Sequence, residues 1–168
     1  PQAYLGGLLI LLSGAAVVVG RQILRVRRDE SALARLESLQ RDGEQSVADL
    51  YELGSVQLRK RLYGQATETL KRAAKRAGDE PAEARALIEN ALGFSLAAQS
   101  NYSAAIRHYR SALQAKADYP VALNNLAYAL EKQQKGEEAR ATYQKVLELD
   151  STNRTAQKRL KRLDKLAA

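Results

Sequence analysis

Hydrophobic residues recur along most of this 168-residue chain at spacings of three and four positions, the pattern of helices that bury one face. After residue 46 this helical pattern repeats itself. Aligning residues 86–119 with residues 120–153 without a gap gives seven identical pairs, including Asn90 with Asn124 and Tyr109 with Tyr143. A weaker copy lies upstream of the middle one. We therefore predict three helical hairpins within residues 46–153, at 47–80, 86–119 and 120–153.

The first twenty residues follow a different pattern, because no charged side chain interrupts them. The seventeen residues from Tyr4 to Gly20 would make a helix about 26 Å long at about 1.5 Å per residue. That length is at the lower limit for a hydrocarbon core of about 30 Å. A cleavable signal peptide would carry its basic residues before the apolar stretch, whereas here they come after it. We therefore predict an uncleaved transmembrane helix over residues 1–20.

The charges that follow this stretch predict its orientation. Four arginines come directly after it, while residues 1–3 hold no basic side chain. By the positive-inside rule, the N-terminus of a single-pass membrane protein would lie outside, in the lumen, and the repeats on the cytoplasmic or stromal side. Residues 21–45 would form a basic membrane-proximal linker helix. Its collar of arginines would contact the anionic headgroups of the lipid bilayer; these are Arg21, Arg25, Arg27 and Arg28.

Small residues form a stripe along one side of the predicted transmembrane helix. Such residues let another transmembrane helix approach closely, but glycine is also simply common in membrane helices, and both interpretations stay open. The stripe consists of Gly6, Gly7, Ser13, Gly14 and Gly20.

The composition argues against catalysis and against a metal or cofactor site. The chain has no cysteine, which excludes disulfides and thiolate metal ligands, and its one histidine, His108, has no evident partner. Its carboxylates are scattered over charged helix faces, and no glycine-rich phosphate loop occurs. We therefore expect no enzyme activity, no cofactor and no small-molecule substrate.

The positive charge is concentrated at the end of the chain. Residues 154–168 hold six basic side chains and one acidic side chain, out of a net charge of +8. Ala156, Leu160 and Leu163 share one helical face, so we predict a basic helix that caps the last hairpin. Nucleic-acid binding is not expected, because the segment is short and lacks aromatic residues and glycines. An acidic protein partner and a lipid surface both remain open.

The repeat carries the signature of a known family. Each copy has a small residue at its eighth and twentieth positions, a large residue at its twenty-fourth and a small or branched one at its twenty-seventh. In that order they are Gly54, Gly93 and Ala127; Ala66, Ala105 and Ala139; Leu70, Tyr109 and Tyr143; and Ala73, Ala112 and Val146. This pattern resembles the tetratricopeptide repeat, in which small residues let two helices cross closely. The resemblance implies an all-α fold, with the N-terminal transmembrane helix, an α-solenoid of three hairpins and the C-terminal capping helix.

A second set of repeated residues is not required by this packing. At about 100° per residue, Asn90 and Phe94 point more than 90° away from the packing residues of their helix, as do Asn124 and Tyr128 in the next copy. The resemblance implies that this face lines a groove that binds a partner peptide. The alternative is that these side chains contact only neighbouring repeats or water. The predicted groove residues are Tyr51, Asn90, Phe94, Asn124, Asn125 and Tyr128.

One familiar groove type is not expected. Tetratricopeptide domains that hold the acidic C-termini of chaperones use a clamp of basic and amide side chains on these inner helices. The matching positions here lack the basic residues, since they hold Tyr51, Ser55, Ala91, Val121 and Asn125.

The whole layout resembles the membrane-anchored tetratricopeptide proteins of cyanobacteria and chloroplasts that take part in photosystem I assembly. That resemblance implies a non-enzymatic scaffold in the thylakoid membrane, with photosystem I subunits or assembly intermediates as partners. The alternative function is a membrane-tethered receptor or adaptor that recruits soluble proteins, such as an import receptor or a protease adaptor.

Overall fold

The structure is a computed structural model that describes the backbone of residues 2–42 and 45–167, and the side-chain surroundings of residues 7, 10–39 and 45–165. Within these ranges the chain forms eight α-helices, one short 3₁₀ turn over Ala77–Asp79 and no strand. The helices are α1 (Gln2–Asp42), α2 (Val47–Arg59), α3 (Tyr63–Arg76), α4 (Ala82–Ala98), α5 (Tyr102–Ala115), α6 (Pro120–Lys132), α7 (Gly136–Leu149) and α8 (Arg154–Ala167). The chain divides into two compact units, residues 1–44 and residues 45–168.

The first unit contains α1, one continuous helix of 41 residues. In the described part of the chain, no helix is both long enough and apolar enough to cross a membrane. The predicted transmembrane helix over residues 1–20 is therefore wrong, and so is the predicted single-pass localisation in the thylakoid with its N-terminus in the lumen. The physical reason is that the apolar stretch from Tyr4 to Gly20 is shorter than the roughly 20 residues that a spanning helix needs, and arginines follow it at once.

The second unit is a stack of helical hairpins, formed by α2 with α3, α4 with α5, and α6 with α7. Within each hairpin a small residue of the first helix faces a large residue of the second. A Cβ atom added to Gly54 would lie 2.6 Å from Cγ of Leu70, and one added to Gly93 would lie 2.7 Å from the ring of Tyr109. Leu70 and Tyr109 are fully buried. The predicted close crossing between the eighth and twenty-fourth positions is therefore confirmed.

The turns inside the three hairpins share one backbone feature. Arg61, Ser100 and Gln134 each have a positive φ, between 59° and 62°, and each is the second residue after the end of the first helix of its hairpin. This left-handed conformation ends a helix and reverses the chain within a few residues. A non-glycine residue accepts it at an energetic cost, which the packed hairpin offsets.

The last helix, α8, packs against α7 and extends the core to the end of the unit. Ala156 and Leu163 of α8 are buried. Arg159 and Arg162 pair with the carboxylate of Glu131 on α6, at 3.3 and 3.0 Å. The side chain of Glu131 is only 10% exposed, and the two guanidinium groups offset the cost of burying its carboxylate.

We expect Gly93→Val to lower the free energy of unfolding by about 1–3 kcal/mol, because the added methyl groups overlap the buried ring of Tyr109 and this overlap outweighs the small gain in helix propensity over glycine. The matched control is Gly64→Val in α3, since a Cβ at Gly64 has nothing within 4 Å. Denaturant unfolding followed by circular dichroism measures both variants. Equal destabilisation of the two would show that the Gly93–Tyr109 contact does not limit the hairpin.

Candidate functional site

The candidate site is the face of α2, α4 and α6 that points away from the hairpin cores, here called the groove face. It consists of Tyr51, Leu87, Asn90, Phe94, Val121, Asn124, Asn125 and Tyr128. These helices are the first of each hairpin, so the 34-residue repeat places equivalent side chains side by side on neighbouring helices. Among the predicted groove residues, Asn125 of α6 bonds Asn90 of α4, whereas Tyr51 of α2 is partly buried against the hydrophobic core.

The central part of the groove face is apolar and open. Phe94 is 44% exposed, Leu87 40% and Val121 54%. Leu87 and Val121, which were not among the predicted groove residues, stand one repeat apart, as Phe94 and Tyr128 do. That spacing is the sequence signal that could have identified them. Next to Leu87 lies a depression of about 120 Å³, lined also by Val47, Ala48, Tyr51, Glu80, Ala84 and Ile88.

The asparagines of the groove face are engaged inside the protein. The side-chain amide of Asn90 donates to the hydroxyl of Tyr119 at 3.3 Å, and that of Asn124 donates to Oδ1 of Asn153, also at 3.3 Å. Each partner lies 29 residues further on, just before the next first helix. Asn153 Oδ1 also accepts from the backbone N–H of Ala156 and so caps α8. The two amides thus tie α4 to the turn before α6, and α6 to the turn before α8.

A further hydrogen bond links α4 and α6 directly. The amide of Asn125 donates to Oδ1 of Asn90 at 3.0 Å, so both polar atoms of Asn90 have partners within the chain. Oδ1 of Asn124 is buried and has no hydrogen-bond partner among the described residues. The bonds that the structure shows therefore fit the alternative interpretation, in which these amides contact neighbouring repeats.

Two of the predicted aromatic groove residues, Phe94 and Tyr128, differ in their surroundings. The ring of Tyr128 meets that of Tyr102 edge to face, with centroids 6.5 Å apart. The guanidinium of Arg159 lies 4.9 Å from the centre of the Tyr128 ring, and Nζ of Lys132 lies 5.5 Å from it. Cations at these distances are attracted to the face of an aromatic ring. Tyr128 is therefore partly covered by the protein itself, whereas Phe94 remains open.

Burial also affects the tyrosine that receives the Asn90 hydrogen bond. Burial raises the pKa of Tyr119 above its ordinary value, and the nearby Tyr51 adds to this rise, while the hydrogen bond from Asn90 lowers it. The Tyr119 phenol therefore stays neutral at physiological pH, and its oxygen remains available to accept the hydrogen bond from Asn90.

Within the described ranges, no group of three histidine or acidic side chains is arranged to hold a metal ion. The expectation that His108 has no partner is wrong, because its Nδ1 lies 2.7 Å from Oε2 of Glu89. This pair links α5 to α4, and the side chains of His108 and Glu89 are 29% and 23% exposed. Sequence spacing of 19 residues gives no direct signal for such a contact.

The predicted collar and small-residue stripe lie on α1. Arg21, Arg25, Arg27 and Arg28 are exposed. Ser13 is exposed as well, and Cβ atoms added to three of the glycines would meet nothing within 4 Å; these are Gly7, Gly14 and Gly20. Gly6 belongs to α1 but lies outside the residues whose side-chain surroundings are described. The roles of the collar and the stripe were predicted for a spanning helix and stay untested.

Comparison with known proteins supports the repeat assignment. Residues 96–163 match the family model described as "Tetratricopeptide repeat". Over 158 residues the chain is 32% identical to the tetratricopeptide repeat domain-containing protein PYG7, chloroplastic, of Arabidopsis thaliana, and the match covers 94% of this chain and 52% of that protein. The chain therefore spans about half the length of that relative. It is 28% identical over 160 residues to ycf37 of Guillardia theta, covering 95% of this chain and 90% of ycf37.

A solved structure gives the same picture of the fold. The first TPR domain of Spaghetti (RPAP3), bound to an HSP90 peptide, matches with a TM-score of 0.66 at 21% identity, over 73% of this chain and 96% of that domain. At this identity the likeness shows the fold alone. The match over residues 96–163, together with the hairpins and the contacts between the eighth and twenty-fourth positions, shows that this chain contains tetratricopeptide repeats.

Proposed function

We propose that this chain is a non-enzymatic scaffold that binds segments of partner proteins on its groove face and serves the assembly of photosystem I. Tetratricopeptide domains are in general protein-interaction domains without enzyme activity. The name of the relative PYG7 places that protein in the chloroplast, which supports the photosynthetic part of the proposal. The client segments would belong to subunits or intermediates of the complex.

The observation that carries the binding proposal is the exposure of Leu87, Phe94 and Val121 on neighbouring helices. Large apolar side chains on a protein surface are common singly, but a group of them on one face marks an interaction site. Full burial of an exposed side chain of this size contributes about 1.5–3 kcal/mol, so covering one that is already half-buried contributes roughly 1 kcal/mol. The three together contribute to holding a peptide segment, and further contacts of the segment add to them.

The chemistry of the groove face also predicts which ligand it does not take. The HSP90 peptide bound by the Spaghetti domain has the sequence SRMEEVD, whose carboxylates call for basic partners. The clamp positions on α2, α4 and α6 hold no basic residue here. We therefore expect this chain not to retain such a peptide through those positions.

The test of the function uses the tagged full-length chain as bait in an extract of photosynthetic cells, with the retained proteins identified by mass spectrometry. Retention of photosystem I subunits supports the proposal. Retention of soluble preproteins or of a protease, with no photosystem I subunit, would instead favour the receptor or adaptor function.

We expect Phe94→Ala to reduce retention of the client several-fold, because truncation at a central contact of an interface typically costs more than about 1 kcal/mol. Its control is Leu149→Ala on α7, because Leu149 is similarly exposed, at 46%, but lies outside the groove face. The readout is the amount of client retained at equal bait concentration. Identical loss in both variants would argue against the groove face as the binding site.

The asparagines predict a different outcome. Asn124→Ala removes the bond to Asn153, so we expect it to lower the free energy of unfolding by about 0.5–1.5 kcal/mol, while the folded variant retains its client. Thermal unfolding and the retention assay, done below the unfolding transition, separate the two effects. A folded Asn124→Ala protein that loses its client would instead assign this amide to ligand binding.

A further inference from the structure

Helix α8 continues the register of the repeats. It begins at Arg154, one repeat length after Pro120, where α6 begins. Its buried residues Ala156 and Leu163 correspond at this spacing to Ala122 and Ala129 of α6, which are also buried. The Asn124–Asn153 bond before α8 repeats the Asn90–Tyr119 bond before α6. Helix α8 thus occupies the place of a fourth first helix, and the groove face extends across it.

On this extension the groove face changes from neutral to basic. At the 34-residue spacing, Lys158 corresponds to Asn124, Arg162 to Tyr128 and Lys165 to Glu131. Arg162 is held by Glu131. Lys158 and Lys165 are exposed, and within the described part of the chain neither has an acidic partner. Their charges are available to a ligand.

The neighbouring helix adds a third cation to this basic end. Lys132, near the end of α6, is exposed, and its ammonium lies 5.5 Å from the ring centre of Tyr128. Lys132, Lys158 and Lys165 therefore make one end of the groove face basic, while Leu87, Phe94 and Val121 make its middle apolar. Lysine ammonium groups are flexible point charges that suit carboxylates presented in more than one geometry.

We propose that the partner segment is amphipathic along its length, with apolar side chains that contact α4 and α6 and acidic side chains that contact the lysines near α8. This inference rests on the proposed function and names the chemistry of its ligand. Neighbouring helices pack about 8–10 Å apart, so the step from α4 to α8 is about 20 Å. An extended peptide covers that distance in about six residues at about 3.3 Å each.

A protein segment fits this face better than a lipid surface. The apolar side chains of α8 that could enter a bilayer, such as Ala156 and Leu163, are buried against the repeat stack. A surface-bound helix needs an apolar face free for insertion. A ligand carrying only phosphates would also leave Leu87, Phe94 and Val121 uncovered.

The experiment measures binding of fluorescent synthetic peptides to the full chain by anisotropy. The first peptide has about twelve residues, so that it spans the groove face. One half is apolar and the other half contains three glutamates. It is made in two versions, with the apolar half first or the glutamate half first. The second has glutamine in place of each glutamate. We expect the glutamate peptide to bind about tenfold more tightly at low salt, and the difference to shrink as salt screens the charges.

The variant that tests the basic end is Lys158→Glu with Lys165→Glu, which we expect to weaken binding of the glutamate peptide about tenfold and to leave the glutamine peptide unaffected. Its matched control is Lys116→Glu with Lys145→Glu, which makes the same charge change at exposed lysines outside the groove face. An equal effect of both pairs, or no effect of the first, overturns the proposal. Lysine-dependent sedimentation with phosphatidylserine vesicles, without peptide binding, also overturns it in favour of a lipid surface.

The outcomes separate this inference from the proposed function. If Phe94→Ala weakens both peptides while the lysine pair weakens neither, the groove face binds peptides but the acidic preference is wrong. If neither peptide binds and Phe94→Ala retains the photosystem client as well as the unchanged chain does, the groove-face binding proposal is wrong together with this inference.

Discussion

The close crossing of the two helices in each hairpin is the constraint on which the rest of the second unit depends. Gly54 leaves room for Leu70 and Gly93 leaves room for Tyr109, and a Cβ added to either glycine would lie within 3.0 Å of the facing side chain. Because the large side chain enters that space, the two helices meet on one side only. On the opposite side of α4 and α6, Leu87, Phe94 and Val121 remain exposed. The groove face exists because the hairpin packs through the other side.

Neighbouring hairpins share one continuous apolar core, and the asparagines add a second kind of contact between them. Each links a first helix to the turn before the next one, and Asn125 joins α6 to α4 through Asn90. Hydrogen bonds of this kind specify the angle between neighbouring repeats more sharply than apolar packing does, because their geometry is directional. The amides on the groove face are therefore used in bonds that hold neighbouring repeats together. A ligand would contact the exposed apolar side chains instead.

The sequence predicts well whatever recurs with the repeat. The repeat period, together with the small and large residues of the signature, led directly to the hairpins and to the Gly93–Tyr109 contact. It could not show that Asn124 bonds Asn153, because the residue that accepts the bond one repeat earlier is a tyrosine, so the two acceptors share a position but not a residue type. Nor could it show the left-handed residues Arg61, Ser100 and Gln134, since none is glycine. The transmembrane prediction was wrong because it relied on the absence of charged residues. A helix can contain an uncharged stretch that is too short to span a bilayer.

Glu131 fastens α8 to the repeats by pairing with part of the positive charge of that helix. A carboxylate on a side chain that is only 10% exposed would be costly alone. Arg159 and Arg162 of α8 neutralise it, while Tyr143 donates its hydroxyl to it at 3.4 Å. Two of the six basic residues in the last segment are thus used to fasten α8 to the repeats. The excess that remains is carried by side chains that the fold does not need, among them Lys158 and Lys165. Since the ion pairs of Glu131 use Arg159 and Arg162 but not those lysines, Lys158 and Lys165 can be substituted to test the acidic segment without removing the contacts that hold α8.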